Sequence, residues 1–420
     1  MRHVIIGAGP AGVAAADTLR KLDPGCQITL IGDEPEPPYS RMAIPYYLVD
    51  QIDEYGTYLR KTPDHFESRA IVQLQDRVTR VQADKKSVLL TSGEELAYDK
   101  LLIATGSKPI VAPIPGIESK GVHACWTLED ARNIIRLASP GARVVLIGAG
   151  FIGSIILEAL ARRGTDLSVV EVEDRMVPRM MNQVSGNLIR HWCEKKGLQI
   201  LTSTRVETIE PGADNLSVLL DSGKALEADL VISATGVRAH IDFLDNSGIE
   251  VDRGVLVNNQ LQSSDADIFA AGDVAQGLDF STGGYSVQAI QPTAVEHGLL
   301  AAANMSGHTQ THRGNINMNV LDTMGLISSS FGLWMGVDNG DSTELHDAGR
   351  FRYLNLQFQD DRLIGASSLG LTEHIGVIRG LIQTRLPLKA WKPRLMKDPT
   401  RLMEAYLANT QAIGYNAQVL

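Results

Sequence analysis

Two glycine-rich stretches have the residue types and spacing of phosphate-binding loops. The first, GAGPAG, carries Gly7, Gly9 and Gly12, with Pro10 and Ala11 between them, directly after the apolar run VII. In this spacing the first glycine permits a tight turn, the second lets the backbone approach a pyrophosphate, and the third lets a helix pack closely on a strand. The helical periodicity of VAAADTLRKL places a helix amino terminus beside the phosphate charge. The stretch predicts a nucleotide-binding loop.

The next strand of this first unit ends on acidic residues. QITLIGDE reads as a buried strand that finishes at Asp33 and Glu34. An acid about 20 residues beyond such a loop can bind ribose hydroxyls. Loop, helix, strand and acid therefore follow one another in the order that a dinucleotide site requires.

A second loop, GAGFIG, repeats the pattern at Gly148, Gly150 and Gly153, with Phe151 and Ile152 between the last two glycines. A strand again follows the helix that this loop begins. Two such units in one chain imply two dinucleotides. The economical pairing is FAD in the first unit and a nicotinamide dinucleotide in the second, which excludes a simple NAD dehydrogenase.

The acid of the second unit is Glu171. A carboxylate at this position accepts hydrogen bonds from a free 2′-hydroxyl and repels a 2′-phosphate, so it favours NADH over NADPH. Arg162, Arg163 and Arg175 are close in the sequence and would weaken that preference if they reached the same site.

Small-residue turns provide further places where the backbone can pass close to a cofactor. One apolar strand ends at Ala104, Thr105 and Gly106, and another ends in the same three residue types, the last of them Gly236. A third strand, DIFAAGD, ends at Gly272 and Asp273, a carboxylate that can accept a hydrogen bond from a ribityl hydroxyl. Together with the two loops, these turns are predicted to bind the cofactors.

Composition excludes several classes of function. The chain has 420 residues, enough for two or three domains, and a net charge of −10, which argues against nucleic-acid binding and general membrane binding. No apolar run reaches the ~18 residues of a membrane helix, and we expect a cytoplasmic protein. The sequence has three cysteines, and none of them belongs to a CxxC pair, a zinc knuckle or an iron–sulfur loop: Cys26, Cys125 and Cys193. We expect them to be small, buried or half-buried hydrophobic residues, and we predict no metal site.

With these motifs in place, the chain resembles the FAD-dependent pyridine nucleotide-disulfide oxidoreductase superfamily. The motifs in order are GAGPAG, ATG, GAGFIG, ATG and AGD; the segments ITLIGDEPEPPYSR, TPDHF and CWTLEDARNI are most similar to the rubredoxin- and ferredoxin-reductase branch and to the flavin-binding half of the nitrite reductase large subunit. The resemblance implies an α/β fold with two interleaved Rossmann-like domains. The FAD-binding domain would consist of residues 1–110 and 235–311. The NAD-binding domain would consist of residues 111–234. Residues 312–420 would form an α+β interface or dimerisation domain, so a homodimer is expected.

The resemblance also implies site residues. For FAD these are Gly9, Ala11, Glu34, Arg41, Val78, Thr105 and Asp273, together with a helix, QPTAVEHG, that carries Gln291 and Thr293 at the pyrimidine end of the flavin. For NAD they are Gly150, Ile152, Gly153, Glu171 and Gly236.

Met42 is the departure that bears most on function. Related coenzyme A disulfide reductases, NADH oxidases and peroxidases have a redox cysteine where this chain has Met42 in RMAIPYYL, and the peroxidases tend to have a histidine where it has Pro10. A thioether cannot form a thiolate, so thiol-based reduction of disulfides, persulfides or peroxides is not supported; Met42 is expected to pack against the flavin. Ile155 replaces a frequent acid near the nicotinamide, and Trp126 stands where some ferredoxin reductases have an arginine.

In the carboxy-terminal part of the sequence, apolar and polar residues alternate as in strands in NVLDTMGLISSSFGLWMG and FRYLNLQFQDDRLIGASSLG. The periodicity of EHIGVIRGLIQTRLP and PTRLMEAYLANTQ then predicts helices. Between 379 and 401 lie seven basic residues and one acid. The basic stretch either is a solvated face that balances acids elsewhere in the fold, or docks a small acidic electron carrier through Arg385, Lys389, Lys392 and Arg394.

Three functions remain open at this point. The leading hypothesis is an NADH-dependent FAD reductase that hands electrons to a rubredoxin or ferredoxin. The second is direct reduction of a small acceptor such as a quinone or an aromatic compound. The third is a flavin-binding subunit that assembles within a larger redox complex.

Overall fold

The computed structural model describes the backbone of residues 1–417 and the side chains of residues 1–410. The strands are β1 Arg2–Ile6, β2 Gln27–Gly32, β3 Ile71–Gln75, β4 Val78–Gln82, β5 Ser87–Leu90, β6 Glu95–Ala97, β7 Lys100–Ile103, β8 Ser107–Pro109, β9 Val122–His123, β10 Arg143–Ile147, β11 Asp166–Val170, β12 Gln199–Leu201, β13 Val206–Pro211, β14 Leu216–Leu220, β15 Ala225–Ala228, β16 Leu230–Ser233, β17 Val237–Ala239, β18 Val255–Leu256, β19 Ile268–Ala270, β20 Ala275–Leu278, β21 Tyr285–Val287, β22 Met318–Thr323, β23 Leu326–Gly332, β24 Asp341–Asp347, β25 Arg352–Gln359 and β26 Arg362–Leu369. The α-helices are α1 Pro10–Leu22, α2 Ile44–Leu48, α3 Leu128–Leu137, α4 Phe151–Arg162, α5 Gln183–Lys195, α6 Gln291–Met305, α7 Ile375–Thr384, α8 Trp391–Lys397 and α9 Leu402–Ala417.

The chain divides into two units. The first contains Met1–Ile110, Trp126–Leu128 and Val237–Asn315, and the second contains the two intervening segments together with Ile316–Leu420. The three-domain division expected from the sequence stays a prediction, because the carboxy-terminal sheet groups here with the second nucleotide-binding segment.

The first unit is built on a five-stranded parallel sheet in the order β19-β7-β1-β2-β3. Its central strands are continuous apolar runs, as expected for strands that are covered on both faces. Ile5 in β1 and Leu102 in β7 are fully buried. A small antiparallel sheet, β4-β5-β6, is inserted between β3 and β7.

The second unit repeats this plan. Its parallel sheet has the order β12-β11-β10-β16-β9, and the antiparallel sheet β13-β14-β15 lies in the chain between β12 and β16. The duplication confirms the prediction of two Rossmann-like folds. It also brings each glycine loop to the carboxyl end of a central strand, where ligands bind in open α/β sheets.

The carboxy-terminal segment of the second unit is an antiparallel sheet, β22-β23-β26-β25-β24, covered by α7, α8 and α9. The predicted α+β character is confirmed. The sequence interpretation missed two elements here, β24 and α8. The first is an edge strand of polar sequence DSTELHD, and the second carries Pro393 inside a helix of seven residues.

No helix within residues 1–417 is long and apolar enough to cross a bilayer.

Candidate functional site

The first glycine loop connects β1 to α1 with the geometry that its spacing predicts. Gly7 has φ +113°, and a Cβ there would lie 2.2 Å from the carbonyl oxygen of Ala104. A Cβ at Gly12 would lie 1.9 Å from the carbonyl oxygen of Gly7. Both glycines are therefore required by the fold, because the loop, α1 and the strand β7 approach at backbone distance.

Gly9 is a different case. It has an extended conformation with φ −78° at the amino terminus of α1, and a Cβ there would meet nothing within 4 Å. Gly150, its counterpart in the second loop, is equally open at the start of α4. Because nothing in the protein demands glycine at these two positions, the open space fits a pyrophosphate that approaches the backbone at each helix amino terminus.

The second loop repeats the first in its other contacts. A Cβ at Gly148, which has φ +100°, would lie 2.6 Å from the carbonyl oxygen of Ala234, and one at Gly153 would lie 2.1 Å from that of Gly148. Phe151 and Ile152 begin α4 and are half-buried. The two loops share one geometry, so both can hold a dinucleotide.

The acids of the first unit are held by arginines. Arg41 donates to Glu34 Oε1 at 2.6 Å, and the Tyr39 hydroxyl donates to Glu34 Oε2 at 2.5 Å. Asp33 is farther out and pairs with exposed Arg77 at 3.0 Å. Glu34 and Arg41, both predicted to contact FAD, thus lie in one hydrogen-bonded group in which the carboxylate is balanced by a guanidinium.

Trp126 belongs to the same group. Its main-chain carbonyl accepts a hydrogen bond from Arg41 at 2.7 Å, and its ring centroid lies 5.2 Å from the Arg41 guanidinium carbon. The ring of Tyr39 lies at 5.5 Å from the same carbon. Burial raises the pKa of Tyr39 well above its usual range, so its hydroxyl remains a donor. In place of a cation, Trp126 gives this site an aromatic face that orients Arg41.

The ATG turns have backbone conformations that require glycine. Gly106 has φ +65° and Gly236 has φ +120°, a region that glycine tolerates best. Ala104 is buried, and Thr105 donates from its hydroxyl to the carbonyl oxygen of His240 at 2.8 Å. Val78 is buried in the core of the first unit, and its contact with FAD stays a prediction.

Asp273 lies after the strand β19 and accepts a hydrogen bond from the Ser107 hydroxyl at 2.9 Å. Burial raises the pKa of this carboxyl above its ordinary value. Gly272, with φ +78°, donates its backbone N–H to Nδ1 of buried His297 at 3.3 Å. The turn that presents Asp273 is therefore fixed by a serine and a histidine.

His297 is part of a buried polar group on α6. Its Nε2 lies 2.8 Å from the amide nitrogen of Asn315, whose amide oxygen lies 3.1 Å from His312 Nε2. Because Nδ1 of His297 accepts the Gly272 N–H, the single N–H of a neutral His297 ring is on Nε2. Nε2 then donates to Asn315, so the Asn315 amide must turn its oxygen, and not its nitrogen, toward His297. Burial lowers the pKa of His297 to about 3, which keeps the ring neutral.

The helix α6 carries the two residues predicted at the pyrimidine end of the flavin. Gln291 is its first residue, and its Oε1 accepts a hydrogen bond from Ser40 at 2.5 Å; Thr293 is buried. A Cβ at Gly298 would lie 2.3 Å from the carbonyl oxygen of Ala11. The middle of α6 therefore packs at backbone distance on the amino end of α1.

Met42 lies in a single 3₁₀ turn, Arg41–Ala43, next to the Ser40–Gln291 hydrogen bond. Its side chain is 47% exposed. Met42 is thus partly exposed to solvent, and its packing against a flavin stays a prediction.

Glu171 directly follows β11 and is 94% buried. Its Oε2 accepts the backbone N–H of Ala149, inside the glycine loop, at 2.6 Å, and its Oε1 accepts that of Glu173 at 2.9 Å. The carboxylate is therefore fixed at the loop by main-chain donors.

The arginines near Glu171 in sequence are engaged elsewhere. Arg163 donates to the carbonyl oxygens of Ala138 and Ile135, and Arg175 binds Asp174 at 2.6 Å. Arg162 lies 3.9 Å from Glu158. Each of the three arginines therefore has at least one partner other than the Glu171 carboxylate.

The cysteines are all free thiols. Burial raises the pKa of Cys125 and of Cys193 to about 12, and it raises the pKa of Cys26 above its ordinary value. A thiol with a raised pKa is a poor nucleophile at neutral pH. The prediction that no cysteine takes the place of the family's redox thiol agrees with these environments.

Sequence reasoning missed the residues that support the predicted ones. Tyr39, Ser40, Ser107 and His297 each bind a predicted site residue or its neighbour. Only Tyr39 and Ser40 carried a signal, since they adjoin Arg41 in the chain. Ser107 and His297 became visible only when the fold brought distant segments together.

The comparisons with known proteins agree with this geometry. The family profile of the pyridine nucleotide-disulphide oxidoreductases matches residues 1–298. The chain belongs to this family, and it is an FAD-dependent NADH oxidoreductase whose cofactors are FAD and NADH.

Its relatives include proteins of near equal length. It is 28% identical over 97% of its length to the NADH-dependent phenylglyoxylate dehydrogenase subunit epsilon of Aromatoleum evansii, covering 98% of that protein. It is 30% identical over 92% of its length to rhodocoxin reductase of Rhodococcus erythropolis, covering 91% of it. Among solved structures it is similar to the reductase chain of a covalent putidaredoxin reductase–putidaredoxin complex, at 27% identity over 97% of this chain and 99% of that one, with a TM-score of 0.88.

Bound FAD supplies a flavin ring that takes electrons from NADH and releases them to an acceptor. The residues that fit it are the open Gly9, the Glu34–Arg41 pair and the carboxylate of Asp273. Those that fit NADH are the open Gly150 and the fixed carboxylate of Glu171.

Proposed function

We propose that this protein passes electrons from NADH through FAD directly to a small redox protein of the rubredoxin or ferredoxin type. The observation that carries the proposal is the half-exposed thioether of Met42 at the position of the family's redox cysteine. All three thiols have raised pKa values. Because a thioether cannot form a thiolate, Met42 cannot serve as an intermediate carrier, and the electrons leave from the flavin itself.

The names of relatives support this acceptor class. Rhodocoxin reductase and rubredoxin-NAD(+) reductase of Pseudomonas putida, the latter 27% identical over 91% of this chain, are named for protein acceptors. The putidaredoxin reductase structure holds its redox partner. These likenesses extend over the carboxy-terminal segment as well as the nucleotide-binding segments.

The experiment that tests the acceptor class is anaerobic stopped-flow oxidation of the NADH-reduced protein. A rubredoxin, a [2Fe–2S] ferredoxin and a soluble quinone are each mixed with it at matched concentrations. We expect at least one protein carrier to oxidise the flavin with saturation, and roughly tenfold or more faster than the quinone, as charge-assisted encounter allows. A quinone that outpaces every carrier would contradict the proposal.

The four basic residues predicted to dock a carrier differ in their exposure and in their partners. Lys392 forms an ion pair with Asp341 at 2.6 Å, and its side chain is only 19% exposed. We therefore no longer expect Lys392 to contact a carrier. Lys389 and Arg394 are exposed, with the Arg394 guanidinium carbon 4.7 Å from the ring centroid of Trp391. We propose that Lys389 and Arg394, with Arg385, steer an acidic carrier.

Charge reversal separates steering from internal pairing. Lys389→Glu and Arg394→Glu together should slow association with an acidic carrier and flatten its dependence on salt, because exposed charges are screened within ~8–10 Å. Lys392→Glu is the matched control, and it should lower the melting temperature because it breaks the pair with Asp341. An unchanged carrier rate in the double variant would remove this surface from the proposal.

A second function is favoured by one specific observation. The relative that this chain matches over 97% of its length is named as a subunit of an NADH-dependent dehydrogenase. On this alternative the protein is the flavin-bearing subunit of a larger redox complex. Purification from the native host with an affinity tag, followed by native mass spectrometry, distinguishes the two: stoichiometric partners retained at high salt indicate the subunit, and an isolated reductase indicates the proposal above.

The predicted homodimer and cytoplasmic location belong to the same proposal. NADH is the electron donor, which supports a site of action where NADH is regenerated. Light scattering should give a mass of two chains, and fractionation should recover the protein with NADH-linked enzymes.

A further inference from the structure

Three side chains that the proposed function does not use meet at the start of the first sheet. The imidazole of His3, the carboxylate of Asp23 and the thiol of Cys26 offer ligand atoms that all lie within 4.8 Å of one another. His3 is the second residue of β1, Asp23 caps the end of α1, and Cys26 directly precedes β2.

His3 is the residue that points to a ligand. It is 99% buried, and neither ring nitrogen has a hydrogen-bond partner. Buried polar groups are nearly always satisfied, so an imidazole with two unpartnered nitrogens calls for a group that is not part of the chain. A neutral imidazole has a lone pair on one ring nitrogen, and this lone pair can bind a metal.

The turn that holds the other two ligands is fixed. Arg20 donates to the carbonyl oxygens of Pro24 and Cys26, and also to those of Arg69 and Ala70. The backbone N–H of Gly25 donates to Asp23 Oδ1 at 3.1 Å. The ligand atoms are thus presented by a clamped turn rather than by a free loop.

The charges of the cluster suit a divalent cation. The carboxylate of Asp23 and a thiolate at Cys26 supply two negative charges. Arg20 Nη1 lies 4.0 Å from Cys26 Sγ; its positive charge favours the thiolate against the effect of burial, although it also opposes a cation.

We propose that His3, Asp23 and Cys26 form a structural zinc site. One sulfur, one imidazole nitrogen and one carboxylate oxygen are ligands that Zn²⁺ accepts in tetrahedral coordination. Three protein ligands leave the fourth position to water, so the coordination is open, unlike the usual structural site with four protein ligands, and the structural role is argued from the location of the site. A set with thiolate and imidazole disfavours Ca²⁺ and Mg²⁺, which take oxygen ligands. Metal binding releases the Cys26 proton to solvent and forms the Zn–S bond without any redox change.

The site is structural because of its place on the sheet. His3 is four residues before Gly7 along β1, roughly 13 Å at ~3.3 Å per residue, and at the strand end opposite the glycine loop. A metal there ties β1 to the connection between α1 and β2. It should stabilise the flavin-binding fold and leave electron transfer unchanged.

The test uses the full-length, FAD-loaded protein without an affinity tag, freed of metal by chelator. Zn²⁺ is titrated against a chromophoric competitor, and Co²⁺ is bound in parallel because its visible ligand-field bands report a tetrahedral thiolate site. We expect one equivalent of tight binding and a rise in melting temperature. Cys26→Ser should weaken binding by roughly 100-fold or more, since losing even a metal ligand's hydrogen-bond partner costs 10–100-fold.

Two further variants keep the result interpretable. Cys193→Ser removes a buried thiol outside the cluster and should bind Zn²⁺ like the wild type. Asp23→Asn is the second ligand variant and should also weaken binding if Cys26→Ser proves unstable. Binding that is absent in the wild type, or equal in the wild type and in both ligand variants, would overturn the proposal. These outcomes do not depend on which acceptor the enzyme uses.

Discussion

The two nucleotide-binding units use the same loop and differ in where they put the acid. In the first, Gly7 donates its N–H to the carbonyl oxygen of Ile31, and in the second Gly148 donates to that of Val170. This register aligns Glu171 with Gly32, where a Cβ would lie only 3.0 Å from the Cβ of Ala8.

The acid of the first unit therefore comes two residues later, at Glu34, outside the loop. Glu34 is neutralised by Arg41, whereas the Glu171 oxygens accept main-chain N–H groups. The glycines provide the same cradle in both units, and we expect the position and partner of one carboxylate to set which dinucleotide each unit prefers. A carboxylate fixed without a side-chain cation repels a 2′-phosphate, and one paired with arginine does not.

The largest effect should come from filling the open glycine of each loop. Gly9→Val should lower FAD affinity at least 100-fold, about 2.8 kcal/mol, because the new side chain occupies the space for the pyrophosphate. Gly150→Val should keep the flavin and abolish its rapid reduction by NADH. Flavin content and stopped-flow reduction measure the two outcomes.

These variants also control each other. Neither Cβ would meet protein atoms within 4 Å, so both proteins should fold. If Gly150→Val lost flavin, or Gly9→Val retained it, the assignment of cofactors to the two units would be reversed or wrong.

A smaller effect should appear in the way the stability of the first unit depends on pH. The pKa of His297 is lowered by burial to about 3 from 6.5. Below pH 6.5 the unfolded chain takes up a proton that the folded protein refuses, so this residue's contribution to stability is lost as pH falls from 6.5 toward 3, by up to about 1.4 kcal/mol per pH unit. His297→Gln should reduce the slope of stability against pH by up to about 1.4 kcal/mol per pH unit, which corresponds to one proton.

Denaturant midpoints between pH 5 and pH 8, with flavin release followed by fluorescence, measure this slope. Exposed His308→Gln is the matched control and should leave it unchanged. An equal slope in wild type and His297→Gln would show that His297 is not the group that resists protonation.

The smallest effect should be on dinucleotide preference. Glu171→Ala should narrow the preference for NADH over NADPH by about tenfold, ~1.4 kcal/mol, because it removes the charge that repels a 2′-phosphate. Glu34→Ala, its counterpart in the flavin unit, should not alter this ratio. Flavin reduction rates with each nucleotide give the ratio, and a wild-type preference for NADPH would refute the role of Glu171.

The sequence predicted the fold well wherever local patterns dictate it. The glycines at 7, 12, 148 and 153 are required by contacts that the spacing implies, and the repeated strand–helix pattern specified both parallel sheets. The edge strand β24 was missed because its alternating polar residues bury little apolar surface.

Pairing between distant residues could not be predicted. Lys392 looked like part of a solvent-facing basic stretch until β24 brought Asp341 beside it. His297 gave no signal at all, since its partners Gly272 and Asn315 are set by the packing of α6. Site residues within one motif can be read from a sequence, whereas the residues that hold them depend on tertiary contacts.

The central claim is that electrons reach the acceptor from the flavin without a protein thiol. Anaerobic reductive titration of the FAD-loaded protein, followed through the flavin absorbance, tests it most directly. With Met42 in place of the redox cysteine, and with Cys26, Cys125 and Cys193 forming no disulfide, complete reduction should take two electrons per chain. A reproducible uptake of four electrons would reveal a second redox centre and contradict the account.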